Sequence, residues 1–228
     1  MPTRTLPGGH YELGLGLLTV AGLGLLLVQS AASRTLLEPY LLPNIVLAWV
    51  PFILAVWLRG TLRRKVWSSW EGLAVSAAWL AFLPNSFYMV SDFIHLAEVD
   101  TNQLLTSAVV FTSFIVTALL LGYSSLYLVH IELRRRLTPR ATVMIIALIL
   151  FACSVAIYLG RDLRWNTWDV LVDPAGMLFD LSSRLLHPTQ YKQVFAVVAP
   201  FFVLLGSLYV CAWQGVRTLG HANKSDLL

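Results

Sequence analysis

Long apolar runs separated by short polar connections occupy almost the whole chain. Five of the runs reach or approach the roughly 18–20 residues that cross a bilayer as a helix, and a sixth does so with polar interruptions. The pattern predicts spans at Leu13–Gln29, Leu41–Leu58, Gly72–His95, Leu104–Val129, Ala141–Leu159 and Gln193–Trp213. Pro51 and Pro200 fall inside the second and sixth, where a missing backbone donor favours a kink. After the fifth run, Pro174 to Leu186 reads as a short amphipathic helix. Met177, Leu178, Leu181 and Leu185 lie within about 100° of one another, with Asp180, Ser183 and Arg184 opposite. Asp173 suits its cap, Pro174 its first turn and His187-Pro188 its end. A helix of that length with one apolar face lies in the membrane interface rather than across it. No period of 20–50 residues recurs. The expected fold is all-α: a polytopic transmembrane bundle of about six spans plus an outer interfacial helix, with residues 1–228 forming a single integral membrane domain.

Composition agrees with that pattern. Hydrophobic residues make up 57% of the chain and charged residues 12%, against about 25% charged in soluble domains. A water-soluble surface cannot be covered with so few charges. The net charge of +4 therefore concerns orientation in the lipid rather than nucleic acid. Both cysteines, Cys153 and Cys211, fall inside apolar runs and read as small packing residues. A short basic start, the first apolar run and Ser30-Ala31-Ala32 resemble a signal peptide. The run exceeds the roughly 7–15 residues of such a segment, which favours a retained span.

The charges sort by side. Of the 16 Lys and Arg residues, Arg4, Arg59, Arg63, Arg64, Lys65, Arg134, Arg135, Arg136, Arg140, Arg217 and Lys224 fall on one side of six spans. The positive-inside rule makes that side cytoplasmic, with both termini there and the protein in the cytoplasmic (inner) membrane. Eight of the twelve acids fall on the opposite side, among them Asp92, Asp162 and Asp169.

Two polar stretches interrupt the oily background on that outer side. In FLPNSFYMVSDFIHL, Phe82 to Leu96, an α-helix would place Asn85, Tyr88, Asp92 and His95 within an arc of about 80°. Asn85 would lie about 20 Å along from Gly72, inside the hydrocarbon. Pro84 would free the carbonyl of Leu80 beside this stripe. In GRDLRWNTWD, residues 160 to 169, a helix continued from the fifth span puts Arg161, Arg164, Trp165 and Trp168 on one face and Asp162, Asn166 and Asp169 on another. Guanidinium groups bind carboxylates and phosphates bidentately. The bland alternatives are interhelical hydrogen bonds for Asn85 and Tyr88 and an aromatic belt for Trp165 and Trp168. Ionisable groups in a membrane span are functional candidates by default. Asp92 at the same expected depth as Arg161 predicts a carboxylate–guanidinium pair with Arg161 or Arg164.

Asp92, His95 and either His187 or Asp169 combine on paper into a metal site, but HExxH and CxxC spacings are missing, so no metal or cofactor is expected. A triad from Ser91, His95 and Asp169 lacks a nucleophile elbow. The Asn223-Lys224-Ser225 sequon falls on the expected cytoplasmic tail.

The stretches FLPNSFYMVSDFIHL and YLGRDLRWNTWD resemble the paired motifs of the domain of unknown function 1361 family, a group of bacterial multi-pass membrane proteins, and the similarity covers most of the chain. The resemblance implies Asn85, Tyr88, Asp92, His95, Gly160, Arg161, Arg164, Trp165, Asn166, Trp168 and Asp169 as pattern positions. Ser86-Phe87 stand where the family pattern has a small residue and proline, and Asp162 stands where it has an apolar residue. The resemblance implies no activity.

Three function classes follow. An outward polar cluster binds or processes an anionic lipid headgroup or small solute, with Asn85, Tyr88, Arg161, Arg164, Trp165, Asn166, Trp168 and Asp169 as ligand-binding residues. Alternatively the site is an enzyme's, with Asp92 or His95 as general base. In the third class the Asp/Arg cluster only ties spans three and five together, in an accessory protein. The expected partners are the bilayer and an anionic headgroup, not nucleic acid. A transporter would show polar groups near the midplane on several spans, so binding at the outer face is favoured.

Overall fold

The computed structural model describes residues 10–33, 40–162, 175–176, 179, 182 and 192–225. Among the described residues there is no strand. The elements are α1 (His10–Ser33), α2 (Leu41–Leu62), α3 (Trp70–Tyr88) running into a 3₁₀ helix (Met89–Glu98), α4 (Leu104–Arg134), α5 (Pro139–Asp162) and α6 (Lys192–Ser225). Six helical segments are long and apolar enough to cross a bilayer, α3 and its 3₁₀ extension counting as one. They are the helices of a multi-pass membrane protein. Most of the expected interfacial helix, Pro174 to Leu186, lies outside the described residues.

Local chemistry explains where the helices start and how they continue. Ser69 caps α3, its hydroxyl accepting from the Gly72 amide at 3.2 Å. A Cβ on Gly72 would lie 2.7 Å from the Trp67 carbonyl oxygen, so this turn requires glycine. Helices α2, α3 and α6 run on through Pro51, Pro84 and Pro200, as membrane helices do when neighbours satisfy the freed carbonyls. The helices extend beyond the apolar runs that marked them, among them α1 to Ser33, α2 to Leu62, α4 to Arg134 and α6 to Ser225. Loss of hydrophobicity marks the lipid boundary, whereas the backbone ladder persists while its own hydrogen bonds close.

Helix α2 is central, packed on α3 and α4, while α1 lies on α4 and α5 on α6. Large apolar side chains point outward, Leu27 at 69%, Val28 at 70% and Met144 at 72% exposure, where lipid tails are as good a partner as a core. The inside is held by small residues and buried hydrogen bonds. Trp79 Nε1 donates to Ser125 Oγ at 2.7 Å, Ser86 Oγ to the Ala48 carbonyl at 3.0 Å and Gln29 Nε2 to Ser107 Oγ at 2.6 Å. Such bonds contribute on average about 0.6 kcal/mol each in a membrane. Tyr11 meets Ser124 while Gln29 meets Ser107, so α1 and α4 run antiparallel. Helices α3 and α4 approach closely at Gly122, where a Cβ would lie 2.9 Å from Ser86 Cβ and 3.0 Å from Phe87 Cε1.

Candidate functional site

The bundle gathers polar chemistry at both ends. One end holds the start of α2, the 3₁₀ helix after α3 and the end of α5. In the first turn of α2, Asn44 Nδ2 donates to Asp92 Oδ2 at 3.1 Å. Asp92 is 2% exposed, so its carboxylate has left water and depends on such partners. Next to it, Arg161 at the end of α5 donates from Nη1 to Ser91 Oγ at 3.4 Å, and the Tyr88 hydroxyl lies near enough to feel the charges of Arg161 and Asp92. Three helices thus converge on one turn of 3₁₀ helix. The two sequence motifs meet in space through Ser91 and Arg161.

The expected carboxylate–guanidinium pair of Asp92 is not formed with Arg161; Asn44 donates to the carboxylate, and Arg164, the other expected partner, lies outside the described residues. The expected single stripe is divided. An α-helix would keep Tyr88 and Asp92 about 40° apart, but at three residues per turn the 3₁₀ helix separates them by about 120°. Tyr88 and Ser91 now share one line, their contact closed by Ser91 Oγ donating to the Tyr88 carbonyl at 2.7 Å. Asp92 and His95 share the next.

The remaining expected residues are placed as follows. Asn85 is half-buried, Nδ2 donating to the Phe82 carbonyl at 3.0 Å. His95 Nδ1 faces Glu98 at 3.6 Å and its ring leans on Tyr40 with centroids 4.8 Å apart. Ser86 and Phe87, the departures from the family pattern, are both buried, Ser86 tying α3 to α2 and Phe87 packing on Tyr123. Arg164, Trp165, Asn166, Trp168 and Asp169 lie outside the described residues, and of Asp162 only the backbone is described.

Arg161 is the unusual member. Among the described residues its guanidinium forms no ion pair, and Ser91, at 3.4 Å, holds it loosely. A guanidinium carries five N–H donors in a planar fork, a geometry that takes a carboxylate or phosphate bidentately.

The opposite end carries an ionic cluster that the sequence reading did not single out. Glu132 of α4, 2% exposed, takes Arg135 Nη1 at 2.7 Å and Arg136 Nη1 at 2.8 Å, with Arg59 Nε of α2 at 3.8 Å. Arg136 also donates to the Leu62 carbonyl at 3.2 Å and covers the Trp67 ring at 5.4 Å. Beside it Glu71 of α3 accepts from Thr61 Oγ1 at 3.0 Å and pairs with Lys65. One carboxylate therefore serves three guanidinium groups, leaving this end strongly positive. The signal was available: Glu132 lies on a helix only three residues beyond its apolar run, and a carboxylate so close to the hydrocarbon needs a partner. Asn44 and Arg59 stand about 22 Å apart along α2, so the two polar ends are separate sites.

A family model described as "Protein of unknown function (DUF1361)" matches residues 43–206, well over half of the chain and inclusive of both motifs. No curated protein and no solved structure matches.

Proposed function

Because the chain belongs to the family of proteins of unknown function DUF1361, its activity has to be read from its own residues, and we propose that the Asp92–Arg161 end binds a phosphate-bearing anion at the outer face of the cytoplasmic membrane. The observation that carries this reading is the Arg161 guanidinium, set against the hydroxyls of Ser91 and Tyr88 with no ion pair among the described residues. Asn44 and Asp92 position the turn that carries Ser91. In this reading Arg161 grips the anion and Asn85 and Tyr88 orient it; Arg164, Trp165, Asn166, Trp168 and Asp169 are the further ligand-binding residues expected from the sequence and lie outside the described residues. Asp92, almost fully buried, acts as a positioning group rather than as a base open to substrate. His95 leans away onto Tyr40 and Glu98.

The orientation rests on charge. Arg59, Arg63, Arg64, Lys65 and Arg134 to Arg136 crowd the Glu132 end, which the positive-inside rule assigns to the cytoplasm together with both termini. Reporter fusions after Arg64 and after Arg136 are expected to read cytoplasmic and one at Thr101 external. An external signal after Arg64 would reverse the assignment.

A bound anion stabilises the folded protein by mass action, about 2.7 kcal/mol at a hundredfold excess over Kd. Thermal melts of the purified full chain are expected to rise with phosphatidylglycerol and to stay flat with phosphatidylcholine. A matching rise with glycerol phosphate alone identifies a soluble anion; a rise confined to the lipid identifies a headgroup. In a protein that carries Arg134→Gln and Arg217→Gln at the opposite end of the bundle, Arg161→Gln is expected to abolish the rise while leaving the unliganded melting temperature within a few degrees of the parent. An undiminished rise in that variant would refute the site.

A further inference from the structure

A second feature, remote from the motif end, lies between α5 and α6. A groove of about 490 Å³ runs down the bundle from the Glu132 end, within the range of about 300–1,000 Å³ typical of ligand clefts. Val143, Ala147 and Leu150 of α5 line one wall, and Phe202, Gly206 and Val210 of α6 the other. From Pro139 to Leu150 the α5 wall is about 16 Å long at 1.5 Å per residue, close to one leaflet of a hydrocarbon core about 30 Å thick. The groove is empty of side chains at its middle, since a Cβ on Gly206 would meet nothing within 4 Å. It opens sideways to the lipid, Val143 and Val210 being 62% and 57% exposed.

The mouth has a different chemistry. Arg134 and Arg217 line it, and neither forms an ion pair among the described residues, because Glu132 is already engaged by Arg135, Arg136 and Arg59. Arg134 is steered over the Trp213 ring at 5.6 Å. That ring is itself fixed, stacked on His130 at 3.9 Å and 7°, while His130 Nδ1 holds the Tyr209 hydroxyl at 2.6 Å. The result is an apolar channel one leaflet long capped by two guanidinium groups on a rigid aromatic base.

We infer that this groove holds one acyl chain of an anionic glycerophospholipid, whose phosphate is clamped by Arg134 and Arg217. The occupant follows from charge complementarity at one end and apolar length at the other, since guanidinium pairs recognise phosphate bidentately. A zwitterionic lipid fits the channel equally well but brings its own cation to two arginines. The site is independent of the Arg161 site, which lies at the other end of the bundle.

The test is native mass spectrometry of the detergent-purified full chain equilibrated with phosphatidylglycerol or phosphatidylcholine. The parent is expected to retain one more phosphatidylglycerol than Gly206→Leu, whose Cβ meets nothing within 4 Å. Ala147→Phe, which closes the channel from the other wall, is expected to lose the same lipid if Gly206→Leu does not fold. In the double variant Arg134→Gln/Arg217→Gln the preference for phosphatidylglycerol over phosphatidylcholine is expected to fall at least tenfold. Arg161→Gln is expected to leave this lipid in place. Retention of the lipid by the channel-closing variants, or an unchanged preference without the two arginines, would overturn the proposal. So would a dimer of the parent that dissociates in Gly206→Leu, which would make a second copy of the chain the occupant.

Discussion

Glu132→Ala is expected to lower stability by about 3–5 kcal/mol, the cost of removing one partner from a buried ionic cluster. The carboxylate is 3% exposed and Arg59, 3.8 Å away, only 12%. Arg135 and Arg136 are about one-third exposed and turn to water when Glu132 is removed, so they contribute little to the loss. Arg59 cannot turn out so easily, because α2 fixes it behind α4 and its Nε is buried without a hydrogen-bond partner. The uncompensated charge is therefore mostly its own. Coupling Glu132→Leu with Arg59→Leu is expected to recover much of the loss, since two apolar residues can replace a buried pair at little net cost. Denaturant unfolding in detergent measures both. A loss under about 0.5 kcal/mol for Glu132→Ala would mean that water already reaches the cluster.

Gly122→Leu is expected to cost at least about 1–3 kcal/mol, the usual range for methylenes forced into a packed core. Even a single Cβ there meets Ser86 Cβ at 2.9 Å and the Phe87 ring at 3.0 Å, atoms too close to the backbone or too tightly packed to yield. Leucine raises helix propensity by roughly 1 kcal/mol over glycine, so the measured loss understates the clash. Gly206→Leu is the control: the same propensity gain with no contact within 4 Å of its Cβ. In detergent stripped of lipid, thermal melts of the two variants should therefore move in opposite directions. A Gly122→Leu protein that melts with the parent would place α3 and α4 further apart.

Much of the fold was legible because a bilayer simplifies the problem. A backbone that must satisfy its own hydrogen bonds in hydrocarbon forms helices wherever about 20 apolar residues occur together, and six such runs predicted six helices. The convergence of the two motifs was legible from topology, since spans three and five end on the same side. The contact of Asn44 with Asp92 was not. Asn44 is a lone polar residue in the first turn of an apolar helix, with no period to mark it. The change from α to 3₁₀ winding at Met89 also left no trace in the polar pattern, and it moved Ser91 rather than Asp92 towards Arg161. At the other end, the arginines read as orientation signals and drew attention from Glu132, which organises three of them. The groove joins residues some 60 positions apart, and Ala147 and Gly206 are each one of several small residues on their helices, so the sequence does not single them out.

The central claim is an anion held by Arg161, and the binding preference of the motif end tests it most directly. The parent for this measurement carries Arg134→Gln and Arg217→Gln, so that the groove contributes nothing. In nanodiscs or detergent, the affinity of this protein for phosphatidylglycerol is expected to exceed that for phosphatidylcholine by tenfold or more, the equivalent of about 1.4 kcal/mol and within the range of one charge-assisted hydrogen bond. Adding Arg161→Gln is expected to bring the ratio to about one. A ratio near one before that change, or one that survives it, would contradict the Arg161 site.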